Sequence, residues 1–314
     1  MTRTQQGIAA MIAACVLWGL SPLYYKALSY VPPLEVLSHR TLWSLVFFGI
    51  VLAVQGRLGE IGVIFRARGL LAVMLASSIL IAVNWGIFIW AIQVGRTVES
   101  SLGYYIYPLI SVLLGAVLFH ERLDRVQILS VALATGAVGL LTWGLGVTPW
   151  ISLSLAISFV AYGVIKKQVP VGPVVSVTTE VLLLLPLAIV WLWGIHARGW
   201  NDFDGRTVAA FGDGWYNTVM LMGLGLITAL PLILFSYATK RLGFATQGLL
   251  FYLNPTLQFI VAVVAFGEAV SRWHMIAFPL IWLALAIYSL NALRQERALR
   301  RAAASAGTVS TTSK

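Results

Sequence analysis

Three ionisable side chains stand close together in an otherwise apolar stretch: Glu35, His39 and Arg40. Glu35 and His39 are four residues apart and would share one helix face, whereas Arg40 would point about 100° away from His39. An unpaired charge at the centre of a bilayer costs several kcal/mol. The cluster is therefore either a site in which Arg40 binds an anionic or zwitterionic solute and Glu35 carries a proton, or an ion pair at a helix end.

Glu180 is the most isolated charge, with 12 uncharged residues before it and 17 after it. Acids inside a membrane are candidates for proton coupling. The competing interpretation is a structural one, in which Glu180 is the buried partner of a basic group such as Lys26 or Arg40.

Two prolines, Pro108 and Pro255, fall inside apolar stretches. A proline within a helix frees the carbonyl four residues earlier, here those of Tyr104 and Phe251. In hydrocarbon a freed carbonyl needs a partner or a polar cavity. The pair is either two related helix breaks that face a central site or two tolerated kinks.

Four further polar or aromatic residues, Asn84, Trp85, Tyr105 and Tyr252, would also lie at membrane depth. They could line a site for a flat or amphipathic organic solute. Each could equally serve in packing or in hydrogen bonds between helices.

The composition indicates that a membrane positions these residues. Of 314 residues, 60% are hydrophobic and only 10% are charged, whereas a soluble domain has roughly a quarter charged residues. The net charge of +10 comes from short basic clusters between long apolar runs. That distribution is typical of the positive-inside rule, so no nucleic-acid partner is expected and membrane lipids surround the chain.

Charge-free windows predict the membrane crossings, each of which needs about 20 residues. The windows are 4–25, 41–56, 69–95, 100–120, 126–165, 181–197, 214–239, 242–267 and 273–293. The window 126–165 must hold two crossings with a turn between Gly144 and Pro149. The second helix must extend back through Arg40 to Glu35, and the seventh must include Glu180. The prediction is an all-α integral membrane protein with ten transmembrane helices.

The basic residues also predict the orientation. With the N-terminus in the cytoplasm, 15 of the 21 Lys and Arg residues fall on the cytoplasmic side and five on the other. This bias places both termini in the cytoplasm. The basic segment 294–314, rich in Ala, Ser and Thr, is expected to be a disordered cytoplasmic tail.

An internal repeat divides the chain. Shifted by 147 residues, the segment 88–125 matches 235–272 without gaps and with identical pairs that include Tyr105/Tyr252 and Pro108/Pro255. The predicted halves, 1–146 and 147–293, hold five crossings each. Because five is odd, the second half must enter the membrane from the opposite side, a plan common in secondary transporters.

Several common chemical motifs do not occur in the sequence. It contains no G-x-x-x-x-G-K-[ST] for ATP and no H-E-x-x-H for zinc, and no G-x-S-x-G nucleophile motif. The only cysteine is Cys15, and the four histidines are not spaced as metal ligands. No metal and no cofactor are expected.

Longer motifs carry a resemblance to a known family. They are Trp18-Gly19 with Pro22, Glu35 to Arg40, Asn84-Trp85 with Phe88 to Ala91, Glu99 to Tyr104, Glu121 to Leu123, Tyr162-Gly163, Glu180 and Pro255-Thr256. Over about 7–292 the chain resembles the RarD group of EamA-type transporters in the drug/metabolite transporter superfamily. The group's name is tied to chloramphenicol sensitivity. The resemblance implies two inverted five-helix halves in a bacterial inner membrane and no cofactor.

The chain departs from the pattern of that group at three positions. His120 stands where Gly is usual, Tyr107 where Asn is expected and Phe251 where Gln is usual. The last two would make a central cavity more aromatic and less polar.

Together these observations predict a secondary transporter that moves a small organic metabolite or drug-like solute by alternating access. Protons are a candidate coupling ion. The solute is expected between the halves, near Asn84, Trp85, Tyr105, Pro108, Tyr252 and Pro255, with Glu35, Arg40 and Glu180 for charge recognition or coupling. Two alternatives are a membrane-embedded enzyme that uses Glu35, His39 and Glu180 on a lipid or polyprenyl substrate, and a membrane sensor or scaffold that transports nothing.

Overall fold

The computed structural model describes residues 2–119, 123–146, 149–166, 169–206, 209–242 and 244–309, and these residues contain helices and no strand. The helices are α1 (Arg3–Ala27), α2 (Pro33–Val54), α3 (Gly59–Arg66), α4 (Arg68–Gln93), α5 (Thr97–Phe119), α6 (Arg125–Leu145), α7 (Trp150–Lys166), α8 (Pro173–Arg198), α9 (Trp215–Thr239), α10 (Phe244–Phe251), α11 (Leu253–Ile260) and α12 (Arg272–Val309). A short π-helix, Val261–Ala265, follows α11.

Seven helices in the described part of the chain are long and apolar enough to cross a membrane, and shorter apolar helices accompany them. The prediction of an all-α membrane protein is confirmed, while the count of ten crossings stays a prediction. His120, Glu121 and Arg122 lie outside the described residues.

Two helices extend back far enough to include their charged residues, as the sequence predicted. Helix α2 starts at Pro33 and includes Glu35 and Arg40, and α8 starts at Pro173 and includes Glu180. In both, proline occupies the first turn, where its missing N–H would have no partner in any case.

The long apolar window is also divided as predicted. Helix α6 ends at Leu145, and the following Gly146 adopts a left-handed conformation with φ of 67°, which glycine adopts without steric cost. Helix α7 then begins at Trp150.

Three features differ from the expectations. The short helix α3 lies in a segment predicted only as a connection. Helix α12 continues beyond the last predicted crossing to Val309, through a segment in which Ala, Leu and Arg are strong helix formers, and the predicted disorder of the tail stays a prediction. The two prolines are not equivalent: α5 runs unbroken through Pro108, whereas a turn at Tyr252 separates α10 from α11 just before Pro255.

The helices pack in reciprocal pairs. In chain order, α1, α2, α4, α5 and α6 of the first half correspond to α7, α8, α9, α10–α11 and α12 of the second. Helix α1 packs on α9 as α7 packs on α4, α1 on α11 as α7 on α5, and α2 on α9 as α8 on α4. The division into two halves and their inverted relation stay predictions.

Candidate functional site

Arg40 lies deep in the bundle, where α2 meets α4 and α9. The residue is only 6% exposed. Its Nε donates a hydrogen bond of 2.9 Å to the Thr228 hydroxyl on α9. Its guanidinium carbon lies 3.9 Å from the centroid of the Trp85 ring on α4 and 6.0 Å from that of Tyr25 on α1. Guanidinium groups stack favourably on aromatic faces, so two rings and one hydroxyl surround this cation.

Arg40 has no ionic partner in the described part of the chain. The ion pairs found there join other residues, and Thr228 is a neutral acceptor. Because a guanidinium stays protonated in proteins, the site carries a positive charge that no described side chain neutralises.

Glu35 lies one turn and a half before Arg40 and has a different environment. It is fully buried, and its Oε1 accepts hydrogen bonds from the backbone N–H groups of Ala210 at 2.9 Å and Phe211 at 3.2 Å. His39 Nε2 lies 3.9 Å from the same oxygen, and the His39 ring stacks on Phe211 with centroids 4.6 Å apart. Glu35 therefore holds the described part of the α8–α9 loop (residues 199–206 and 209–214) against α2.

A second acid and a basic residue attach the same loop. Asp202 accepts hydrogen bonds from the backbone N–H of Leu34 at 2.9 Å and of Phe203. Burial raises the pKa of the Asp202 carboxyl, and these two N–H groups oppose that rise. Arg206 donates to the Gln93 side chain at the end of α4 at 2.9 Å. It also donates to the carbonyl oxygens of Ser29 and Val31.

Two further contacts join the halves at the end of the bundle that carries this loop, here named the loop end. Glu268 accepts hydrogen bonds of 2.8 Å from the backbone N–H groups of Thr97 and Val98 at the start of α5, where an anion is favourable. The Tyr30 hydroxyl donates to the Asn217 side chain at 2.6 Å. The loop end is thus bridged by hydrogen bonds between segments of the first and second halves.

Glu180 lies in a separate cluster. It is fully buried, and its Oε1 lies 2.8 Å from Lys166 Nζ at the end of α7. It also accepts hydrogen bonds from the Ser77 hydroxyl on α4 and, at 3.1 Å, from the Tyr162 hydroxyl. The basic partner is therefore Lys166, and Lys26 and Arg40 do not pair with Glu180.

Asn84 joins three helices. Its amide nitrogen donates to the Leu155 carbonyl and the Ser158 hydroxyl on α7, both at 2.9 Å, and its oxygen accepts from the Tyr104 hydroxyl on α5 at 3.2 Å. These hydrogen-bond partners lie on α5 and α7, which both pack against α4. The contacts of Asn84 therefore hold the three helices together.

Tyr105 and Tyr252 point toward α12. The Tyr105 hydroxyl donates to the Thr256 hydroxyl at 2.8 Å, and its ring contacts Phe278 with centroids 5.9 Å apart. Tyr252 packs against the hydrophobic cluster that contains Phe278 of α12. Pro255 is buried and Pro108 is partly buried.

The predicted site residues thus form separate groups. The structure brings Arg40 and Trp85 together, places His39 beside Glu35 at the loop end, and places Tyr105 beside Thr256, the residue after Pro255. Thr228 and Tyr25 were missed by the sequence analysis. For Thr228 a signal exists, because it is a single hydroxyl in the middle of an apolar helix.

A bundle of long apolar helices with charged residues buried between them defines the class of the molecule as a multi-pass membrane protein. Residues 5–143 match the EamA-like transporter family. The chain is 40% identical over 295 residues to an uncharacterized transporter of Pseudomonas aeruginosa, covering 94% of this chain and 97% of that protein. It is 36% identical to the protein RarD of Salmonella typhimurium, covering 94% and 98%.

The chain belongs to the EamA-like transporter family, in its RarD group. A chain of known crystal structure is similar in fold, with a TM-score of 0.57 and 21% identity, over 94% of this chain and 98% of that one. The resemblance expected from the motifs is confirmed.

Proposed function

We propose that the protein is a secondary transporter of the bacterial inner membrane that moves a small organic solute by alternating access between its two halves. One observation carries the proposal: Arg40, a buried cation without an ionic partner among the described residues, lies where α2 of the first half meets α9 of the second. Charged groups at membrane depth mark substrate or ion pathways.

The contacts at the loop end support the second part of the proposal. Alternating access requires contacts between the halves that close one end of the pathway and can be released. Hydrogen bonds of Glu35, Asp202 and Glu268 to backbone N–H groups join the halves at that end. On this proposal, the end is closed in the conformation described here, and it opens when the α8–α9 loop leaves α2.

Proton coupling is the finer part of the proposal. Glu35 and Glu180 are the candidate proton carriers, because both are buried carboxyl groups in membrane helices. Glu35 is the better placed of the two, since its Oε2 is buried without a hydrogen-bond partner in the described part of the chain and its Oε1 contacts the loop that must move.

The test starts with purified protein and a thermal-shift screen of amino acids, other metabolites and chloramphenicol. Each solute that raises the melting temperature is then followed across proteoliposome membranes under a proton gradient. A saturable flux that responds to the gradient supports the proposal and identifies the solute class. Binding without flux for every stabilising solute, or conversion of a solute to a new product, would overturn it.

A further inference from the structure

We infer that the solute is an organic monocarboxylate with an apolar or aromatic body, and that its carboxylate binds the guanidinium of Arg40. This inference rests on the proposed transport function, and it names the class of substrate. The starting observation is the missing counter-charge, since the described ion pairs do not include Arg40.

Arg40 has N–H donors that no described residue accepts from. The Nε group donates to Thr228, and the two terminal nitrogens donate no hydrogen bond to a residue that the structure describes. A guanidinium offers five N–H donors in a planar fork that matches the two oxygens of a carboxylate. A carboxylate at the terminal nitrogens would therefore accept hydrogen bonds from the N–H groups that do not donate to Thr228.

The charge favours a carboxylate over a phosphate. Thr228 and the rings of Trp85 and Tyr25, which lie beside the Arg40 side chain, are all neutral. A single guanidinium neutralises one negative charge, whereas a phosphate dianion would remain in excess at membrane depth. A buried ion pair is stabilising only when its charges balance and its hydrogen bonds are satisfied.

The surroundings favour an apolar body on the solute. The Trp85 ring covers one face of the guanidinium at 3.9 Å, and Tyr25 stands farther away. A cavity of about 550 Å³ lies beside α2 and α4 and is lined also by Trp150 and Phe203, whereas Arg40 and Trp85 are not among its lining residues. Its lining includes Leu37, Gly86 and Trp90 and is apolar throughout. Leu37 lies one helical turn before Arg40, so this cavity is a neighbouring apolar surface. The rings of Trp85 and Tyr25 themselves favour an apolar or aromatic body beside the carboxylate.

The experiment compares acids with their own amides. The probes are 3-phenylpropionate, indole-3-acetate and hexanoate, each beside its primary amide, which has nearly the same shape and no charge. Binding to the purified wild-type protein is measured by calorimetry. At least one acid is expected to bind about 10- to 100-fold more tightly than its amide, the range that a charged hydrogen bond supplies. Equal binding of each acid and amide, or no binding of any acid, would overturn the inference.

Substitutions of Arg40 test whether this residue causes the preference for the acid over its amide. Arg40→Met should abolish the preference for the acid, and Arg40→Lys should keep a weaker preference, because it retains the charge without the fork. Arg198→Met is the matched control, since Arg198 also lies near an aromatic ring, Trp193, but at an exposed helix end. If Arg40→Met does not fold, the wild-type comparison and Arg40→Lys still decide.

The same experiment separates this inference from the proposed function. Acids that bind through Arg40 but never cross the membrane would uphold the carboxylate site and contradict transport. Saturable flux of a neutral or cationic solute that Arg40→Met leaves unchanged would uphold transport and overturn the carboxylate site.

Discussion

Lys166 Nζ lies 2.8 Å from the carboxylate of Glu180, and this ion pair joins the end of α7 to the buried face of α8. The Glu180 side chain is fully buried and that of Lys166 is 19% exposed. Removing one member of a buried pair leaves the other charge uncompensated, at a cost of about 3 kcal/mol. We therefore predict that Glu180→Gln lowers the melting temperature of the purified protein and that Glu180→Gln with Lys166→Met recovers part of the loss.

The double-mutant cycle separates a structural role of Glu180 from proton coupling. If Glu180 carries protons, the stabilised double variant stays folded yet loses gradient-driven flux. If the carboxylate serves only the ion pair, flux returns with stability. If the loss of stability in the double variant equals the sum of the losses in the two single variants, the two side chains do not interact.

Single substitutions of Glu35 separate a structural role of this residue from a role in proton coupling. Glu35→Gln keeps an oxygen that accepts from the N–H groups of Ala210 and Phe211, so its melting temperature should stay near that of the wild type. Glu35→Leu leaves both groups without this acceptor, at about 1–3 kcal/mol for each. Gradient-driven flux by Glu35→Gln at the wild-type rate would remove Glu35 from proton coupling.

The contact between α2 and α9 depends on Gly225. A Cβ atom at this position would lie 2.5 Å from the backbone of Trp43 on α2, closer than packed atoms allow. We predict that Gly225→Ala forces the two helices apart and destabilises the protein by about 1–3 kcal/mol.

The matched control for that substitution is Gly139→Ala. A Cβ atom at Gly139 would have no neighbour within 4 Å among the described residues, and Ala is the better helix former by about 1 kcal/mol. The control should be neutral or slightly stabilising in a thermal-unfolding assay. Equal effects of the two substitutions would contradict a close contact at Gly225.

Sequence reasoning was most successful where one physical rule dominates. Hydrocarbon excludes unpaired charge, so the apolar windows located the helices and marked Arg40 and Glu180 as residues that need partners. The same rule extended α2 back to include Glu35, as the structure confirms.

The partners themselves could not be predicted, because they depend on how distant helices approach one another. Lys166 lies just beyond the charge-free window 126–165, yet it pairs with Glu180. Tyr105 and Tyr252 match in the repeat, but both pack in the hydrophobic cluster that contains Phe278 of α12 rather than beside Arg40. A repeat defines equivalent positions in two halves and leaves the direction of each side chain to tertiary packing.

The most direct test of alternating access uses a reversible cross-link at the loop end. The Tyr30 hydroxyl lies 2.6 Å from the Asn217 side chain, and the two residues belong to different halves. In a Cys15→Ala background, Tyr30→Cys and Asn217→Cys can be joined by a short cross-linker that contains a disulfide. The single variants treated with the same reagent are the controls.

The measurement is the flux of a solute identified by the binding screen, in proteoliposomes, before cross-linking, after it, and after reduction. Because the loop end must open in every transport cycle, we predict that flux falls to the level of protein-free liposomes and returns on reduction. Unchanged flux through the fully cross-linked protein would contradict alternating access between the two halves.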